Sequence, residues 1–132
     1  MKTFDGYFFD DDIEASADLI NIDNSANKLI TILSTENFFE RTGGLLKLPI
    51  LIKNQGLLIY KCNSIHTFGM TYSLDIVYLN RHLKVVKLIE NIKPKRMSLC
   101  LRAKHTLELL TGEISRLHIR EGMTLSHKEK LY

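Results

Sequence analysis

The residues of this chain best suited to chemistry lie together in one stretch, CNSIHTFGMTYSLDIVYLN, residues 62–80. Cys62, His66 and Met70 recur every four residues, a spacing that lets them share a face on a helical turn or a strand. Thiolate, imidazole and thioether are the donors that a soft ion such as Cu(I) prefers. One of each is a sparse set, there is no C-x-x-C, and Met and Cys are ordinary core fillers, so packing is the favoured reading and no metal site is assigned. A second chemistry would make Cys62 a nucleophile, His66 its base and Asp75 the group that orients the imidazole. That scheme needs positive charge or a helix N-terminus beside the thiol, whereas Cys62 closes an apolar run, where a thiol is quiet. No catalytic residue and no cofactor are assigned.

Asp75 is the most informative single residue. Strand alternation sets it on one face with Val77 and Leu79, and sets Leu74, Ile76 and Tyr78 on the other. A carboxylate among so many apolar neighbours must be paired or hydrogen-bonded. The expected partners are His66, Arg41, Arg96, Arg102 or the backbone N–H groups of the HTFGM turn. Gly69 in that turn permits a bulge or a close backbone approach, which would leave His66 and Phe68 at a pocket mouth with Asp75 and Arg96. These four are the candidate binding residues. The competing reading is that Asp75 pins the turn while Phe68 and Met70 plug the end of the fold. A basic run, Lys93, Lys95, Arg96, Arg102 and Lys104, offers phosphate contacts, with Tyr60, Tyr72 or Phe68 available to stack on bases. A solvated basic face is the commoner outcome, and His82, His105, His118 and His127 are too scattered for a metal set.

The elements that must position these residues read mostly as short strands. After Asp10–Asp12, Ile13, Ala17 and Ile20 fall at helical spacing and predict a short helix. KLITILS (28–34) is rich in β-branched residues and predicts a strand. STENFFERTGG predicts a short helix capped by Ser34 or Thr35 and stopped by two glycines. Asn54, Gln55 and Gly56 make a turn before a strand over Leu57–Cys62. Leu74–Leu79 and Leu83–Ile89, divided by a short polar turn, form the clearest hairpin. Two further strands are expected at Met97–Arg102 and Thr106–Leu110, then a helix capped by Thr111 and running to Leu117, then a last strand in REGMTL. The whole implies a mainly β fold, an antiparallel sandwich or partly open barrel with two or three short helices.

Size and composition agree with one domain. The 132 residues are 45% hydrophobic, with seven Gly, two Pro and no repeat or biased run. The two cysteines are expected to be reduced, as in a cytoplasmic chain. Acidic residues stand where a secretory leader would be apolar, and no apolar run reaches membrane-spanning length, so a cytoplasmic location is expected. The net charge of +3 hides an asymmetry: residues 1–27 carry seven acidic groups against Lys2, and residues 28–132 carry eight acidic against seventeen basic. The divisions are therefore an acidic extension (1–27), a β-rich body (28–126) and a polar tail (127–132), and the extension is expected to lie on the basic body.

The order ERTGGLL, QGLLIYKCNSIHTFGMTYSLDIVYLN, VVKL, PKR, LEL and REGMTL resembles the domain-of-unknown-function 192 family of small bacterial and archaeal proteins, over about residues 28–126. The resemblance implies a compact antiparallel β domain, jelly-roll-like or a partly open barrel, with no established activity. Relatives of the IHTFGM branch often lie beside genes for type IV-like pilus assembly and secretion, which implies an accessory role. The matching positions are Arg41, Gly44, Leu45, Cys62, His66, Phe68, Met70, Asp75, Pro94 and Arg96. Ser73 replaces a usual Pro, Leu83 a usual turn Gly, and Met123 the Asp of the Gly-Asp pair that usually opens the last strand. A branched residue resists positive φ, so the turn at Leu83 is expected to use another geometry. The functional expectation is a non-enzymatic module that binds a protein or small ligand at His66, Phe68, Asp75 and Arg96, with Arg41, Gly44, Cys62, Gly69, Met70 and Pro94 shaping the motif. The alternatives are a small enzyme using His66 and Asp75 in acid/base or hydrolytic chemistry, and a nucleic-acid-binding module using the basic body.

Overall fold

In a computed structural model, the structure describes the strand residues 2–4, 7–9, 18–21 and 29–34 and all of residues 51–129, with side chains over 51–126. The strands are β1 (Lys2–Phe4), β2 (Tyr7–Phe9), β3 (Asp18–Asn21), β4 (Leu29–Ser34), β5 (Gln55–Ile59), β6 (Ser64–His66), β7 (Leu74–Leu79), β8 (Val85–Ile92), β9 (Met97–Leu99), β10 (His105–Leu110) and β11 (Ser126–Glu129). Among the described residues there is one short helix, α1 (Glu113–Arg116). The fold is mainly β, as expected, but its seven-stranded sheet is open, in the order β11-β3-β4-β5-β10-β7-β8, and is not a closed barrel. Neighbours run antiparallel except β4 and β5, which are parallel. β1–β2 and β6–β9 are separate two-stranded sheets.

β7 lies next to the end of the large sheet and is buried along its entire length. Its alternation is as expected: Val77 and Leu79 enter one core cluster, and Leu74, Ile76 and Tyr78 the other. The first cluster also holds Leu107 and Leu109 of β10, with Ile114, Leu117, Ile119 and Leu125 laid over them. The second is covered by Ile65 of β6 and by Cys100 and Ala103 after β9. Because both faces are covered, LDIVYL reads as an almost unbroken apolar run. Each fully buried Leu or Ile contributes about 2 kcal/mol of transfer free energy, so two-sided burial makes β7 and β10 the stable centre.

Several expected elements need correction. Ile20 belongs to β3, so the helical spacing after Asp12 does not end in a helix: pairing with β4 and β11 decides the conformation there. The helix expected after Ser34, with Arg41 and Gly44, falls outside the described residues. The turn before β5 lies at Lys53 and Asn54, where Asn54 takes φ 62 and Gln55 N–H donates to the Ile52 carbonyl, so Gln55 and Gly56 are already strand. β5 stops at Ile59, short of Cys62. In REGMTL only Thr124 makes a bridge, to Lys84, and the last strand lies beyond it. β8 starts at Val85 rather than Leu83, and Leu83 itself adopts φ 62. The turn geometry expected of glycine is thus kept by a leucine. Asn80 holds it: Oδ1 accepts from His82 N–H at 2.9 Å and Lys84 N–H at 3.0 Å, and the Asn80 carbonyl accepts from Leu83 N–H. The Leu83 side chain packs against the first cluster, which offsets a strain of roughly 1–2 kcal/mol.

Candidate functional site

Asp75 is fully buried, and its partners are not those expected. Oδ1 accepts from Asn91 N–H of β8 at 2.8 Å, and Oδ2 accepts from Gly112 N–H at 3.0 Å and Ile114 N–H at 2.9 Å. The Thr111 hydroxyl also donates to Oδ1 at 3.4 Å. Asp75 is therefore the remote cap of α1, in place of the local cap assigned to Thr111; Gly112, at φ 95, takes the N-cap position. This ties β7, β8 and the helix start together on the face of the first cluster. β6 packs its Ile65 on the opposite face. His66 and Asp75 thus lie on opposite sides of the large sheet.

What gathers around His66 is a different set. The antiparallel register pairs Ser64 with Leu99, Ile65 with Ser98 and His66 with Met97. The 62–75 segment is therefore a short strand followed by a turn rather than a turn alone. Period-two alternation turns Ile65, Thr67 and Cys100 inward, and turns His66, Phe68, Met97 and Leu99 outward. The His66 and Phe68 rings lie 5.7 Å apart, tilted by 36°. Met70 N–H donates to the Thr67 carbonyl at 3.1 Å and Gly69 has φ 84, as the third position of a type II turn requires. Gly69 therefore makes a turn, and neither the expected bulge nor a close backbone approach, since nothing lies within 4 Å of where its Cβ would stand. It projects Phe68, 54% exposed, outward, while Met70 packs on the second cluster.

Thr67 is the hub of this region, and its role was not read from the sequence. Its buried hydroxyl donates to the Lys93 carbonyl at 2.7 Å and accepts from Arg96 N–H at 2.8 Å. Its N–H donates to the Arg96 carbonyl, and its carbonyl accepts from Lys95 N–H. The loop around the half-buried Pro94 is thereby clamped beside Phe68, which brings Arg96 to the same end of β6–β9. A shallow groove of about 370 Å³ runs next to it, lined by Ile89–Lys93 and Arg96–Ser98. Of the four candidate binding residues, the structure brings together His66, Phe68 and Arg96, and places Asp75 elsewhere.

Cys62 donates its thiol hydrogen to the Ser64 carbonyl at 2.8 Å, and its own carbonyl accepts from the Thr106 hydroxyl at 2.8 Å. Cys62 and Cys100 are free thiols. With Cys62 bonded locally, His66 exposed and Met70 packed on the core, the four-residue spacing does not converge. Among the described residues no three His, Cys, Asp or Glu side chains cluster as a metal site.

Two acidic residues passed over in the sequence carry the strongest electrostatics. Glu108 of β10 stands in register between Leu57 and Ile76, and burial pushes its carboxyl up to about 7. A charge interrupting the apolar LELL was the available signal. Glu113 is also buried, which raises its carboxyl, but the Arg116 guanidinium at 2.7 Å and the Asn54 N–H outweigh that and hold it below the ordinary value. Arg116 also donates to the Asn54 side-chain oxygen, which joins α1 to the turn before β5.

The profile of the domain-of-unknown-function 192 family, described as an uncharacterized ACR, matches residues 20–127. Two solved structures share the fold. One is a proposed transcription regulator from Sinorhizobium meliloti 1021, at a TM-score of 0.68 and 16% identity, covering 85% of this chain and 94% of that one. The other is a protein of unknown function from Novosphingobium aromaticivorans DSM 12444, at a TM-score of 0.60 and 16% identity, covering 83% of each chain. No curated protein matches.

Proposed function

The chain belongs to the domain-of-unknown-function 192 family, and on that footing we propose that it is a non-enzymatic binding module whose partner docks on the outer face of β6–β9, around His66, Phe68 and Arg96. The observation that carries this reading is the fate of Asp75. Both of its oxygens are taken by backbone N–H groups on the far side of the sheet, so His66 has no carboxylate from it. The alternative of His66–Asp75 acid/base or hydrolytic chemistry loses its central pair. What is left around His66 is an aromatic and apolar surface beside a fixed arginine, a composition suited to recognition.

An accessory role linked to pilus assembly or secretion is compatible with this reading and rests on the resemblance alone, while a cytoplasmic location rests on the sequence pattern. Nucleic-acid binding is the third reading. The basic residues around β9 and the S. meliloti neighbour, a proposed transcription regulator, favour it; the exposed Met97 and Leu99, which offer no hydrogen-bonding groups to base edges, do not. The test is the NMR spectrum of Asp75→Asn beside the wild type: resonances are expected to change at Asn91, Gly112 and Ile114 and not at the His66 ring, and a change at that ring would refute the reading. Absence of salt-sensitive binding to mixed-sequence DNA and RNA separates it from the nucleic-acid alternative.

A further inference from the structure

The described residues expose five large hydrophobic side chains, and four of them stand together at β6–β9: Phe68 at 54%, Met97 at 75%, Leu99 at 54% and Leu101 at 80%. Met97 and Leu99 stand on the outer face of β9, with His66 opposite Met97, while Phe68 and Leu101 stand exposed in the turns that follow β6 and β9. Exposures this high belong to side chains that stand proud of the surface. Phe68, Leu99 and Leu101 also lie outside the lining of the neighbouring groove.

Cations flank this face at both ends of β9: Lys93, Lys95 and Arg96 before it, Arg102 and Lys104 after it, all exposed. No Asp or Glu occurs in residues 61–74 or 91–107, and the acids that bound those segments, Asp75 and Glu108, are buried. Exposed Glu90 of β8 is the one acid at the edge of this face, where it lines the groove with Lys93, Arg96 and Met97. Among the described residues the only ion pair joins Glu113 and Arg116, so none of the five cations pairs with a described carboxylate; Arg102 Nη2 donates to the Val86 carbonyl at 2.9 Å.

We propose that this face docks on an anionic lipid surface, with Phe68, Met97, Leu99 and Leu101 entering the headgroup layer and the flanking lysines and arginines meeting lipid phosphates. The assignment rests on the reading of β6–β9 as the binding face and names its partner. Long basic side chains keep their charges among headgroups while apolar neighbours go deeper, and neither signal alone holds a protein firmly. Protruding side chains outside a groove suit a fluid layer that closes around them. A second copy meeting through this same face would bring the same five cations and be repelled. The attachment is peripheral, since no helix among the described residues is long and apolar enough to cross a membrane.

The test is co-sedimentation of the full chain with vesicles of phosphatidylcholine, with and without phosphatidylglycerol. Binding is expected only with the anionic lipid, and it weakens with salt as the screening length falls from about 30 Å at 0.01 M to about 8 Å at 0.15 M. Each cation near an anionic surface strengthens binding about fivefold, so Lys95→Ala with Arg96→Ala lowers the partition constant about 25-fold. Met97→Ser with Leu101→Ser, which leaves the charge of the face unchanged, lowers it at least tenfold, and because both sites are exposed, the thermal midpoint stays unchanged. Binding that survives the serine pair overturns the proposal, since simple charge attraction would then explain it. If the vesicles fail but a soluble acidic peptide shifts the amide resonances of residues 66–68 and 96–101, the lipid assignment falls and the binding face stands. No response of these resonances to either probe overturns both.

Discussion

Replacing Glu108 with glutamine should remove most of the pH dependence of stability between mildly acidic and neutral conditions. Glu108 is 6% exposed, sits between Leu57 and Ile76, and receives no hydrogen bond among the described residues, so its charged form is heavily penalised. The folded chain holds the proton up to about pH 7, while the unfolded chain releases it near the ordinary value of 4.5. Between those limits the native state binds more protons, so the free energy of unfolding falls as pH rises. Below the unfolded value the contribution is fully present; above about 7 it is gone. A separation of about two and a half pH units, at about 1.4 kcal/mol each, makes the loss roughly 3 kcal/mol. For a domain of this size that is a large part of the net stability. Urea unfolding of wild type and Glu108→Gln across this range measures it, with the slope on urea checked for constancy. The wild-type curve should fall and the variant's stay nearly level, leaving the variant the more stable above neutrality. Parallel curves would refute the reasoning, since the titrating group would then be another residue.

Glu113 gives the opposite sign. Its depressed value supplies stability that is present above the ordinary glutamate range and lost as pH falls through the folded value, so Arg116→Ala should flatten the acid limb of the same experiment. Asp75→Ala leaves the Asn91, Gly112 and Ile114 N–H groups without their acceptor and should cost about 3–5 kcal/mol, with hydrogen exchange accelerated first at Gly112 and Ile114; unchanged protection there would refute the remote cap. Thr67→Val keeps the shape but strands the Arg96 N–H and the Lys93 carbonyl. A loss of about 1–3 kcal/mol is expected, with faster exchange at Arg96 and little change at β7.

Much of the architecture was legible because local pattern and tertiary environment agree. Leu74–Leu79 is found at its expected limits, with its expected faces, and Pro94 ends the ladder as a residue without an N–H must. The mainly β class follows from short runs of β-branched and apolar residues between turn signals. Errors concentrate where a distant partner overrides local preference. Ile20 is drawn into a strand by two neighbours in the sheet, and Leu83 is held at positive φ by Asn80 and by packing. Three-residue strands such as Ser64–His66 are too short for periodicity to announce.

The candidate site divides in the same way. Sequence alone determined that His66, Phe68 and Arg96 were worth watching, that Asp75 must be satisfied by hydrogen bonds, and that positive charge gathers around residues 93–104. Only the tertiary structure decided which groups meet. Asp75 satisfies its need with N–H groups 16, 37 and 39 residues away, on the side of the sheet opposite His66. Strand pairing, not sequence spacing, sets His66 against Met97 and Ser64 against Leu99. The physical reason is that alternation tells which residues share a face of one strand, whereas the register between strands, and the layer that covers each face, are set by contacts distant in sequence.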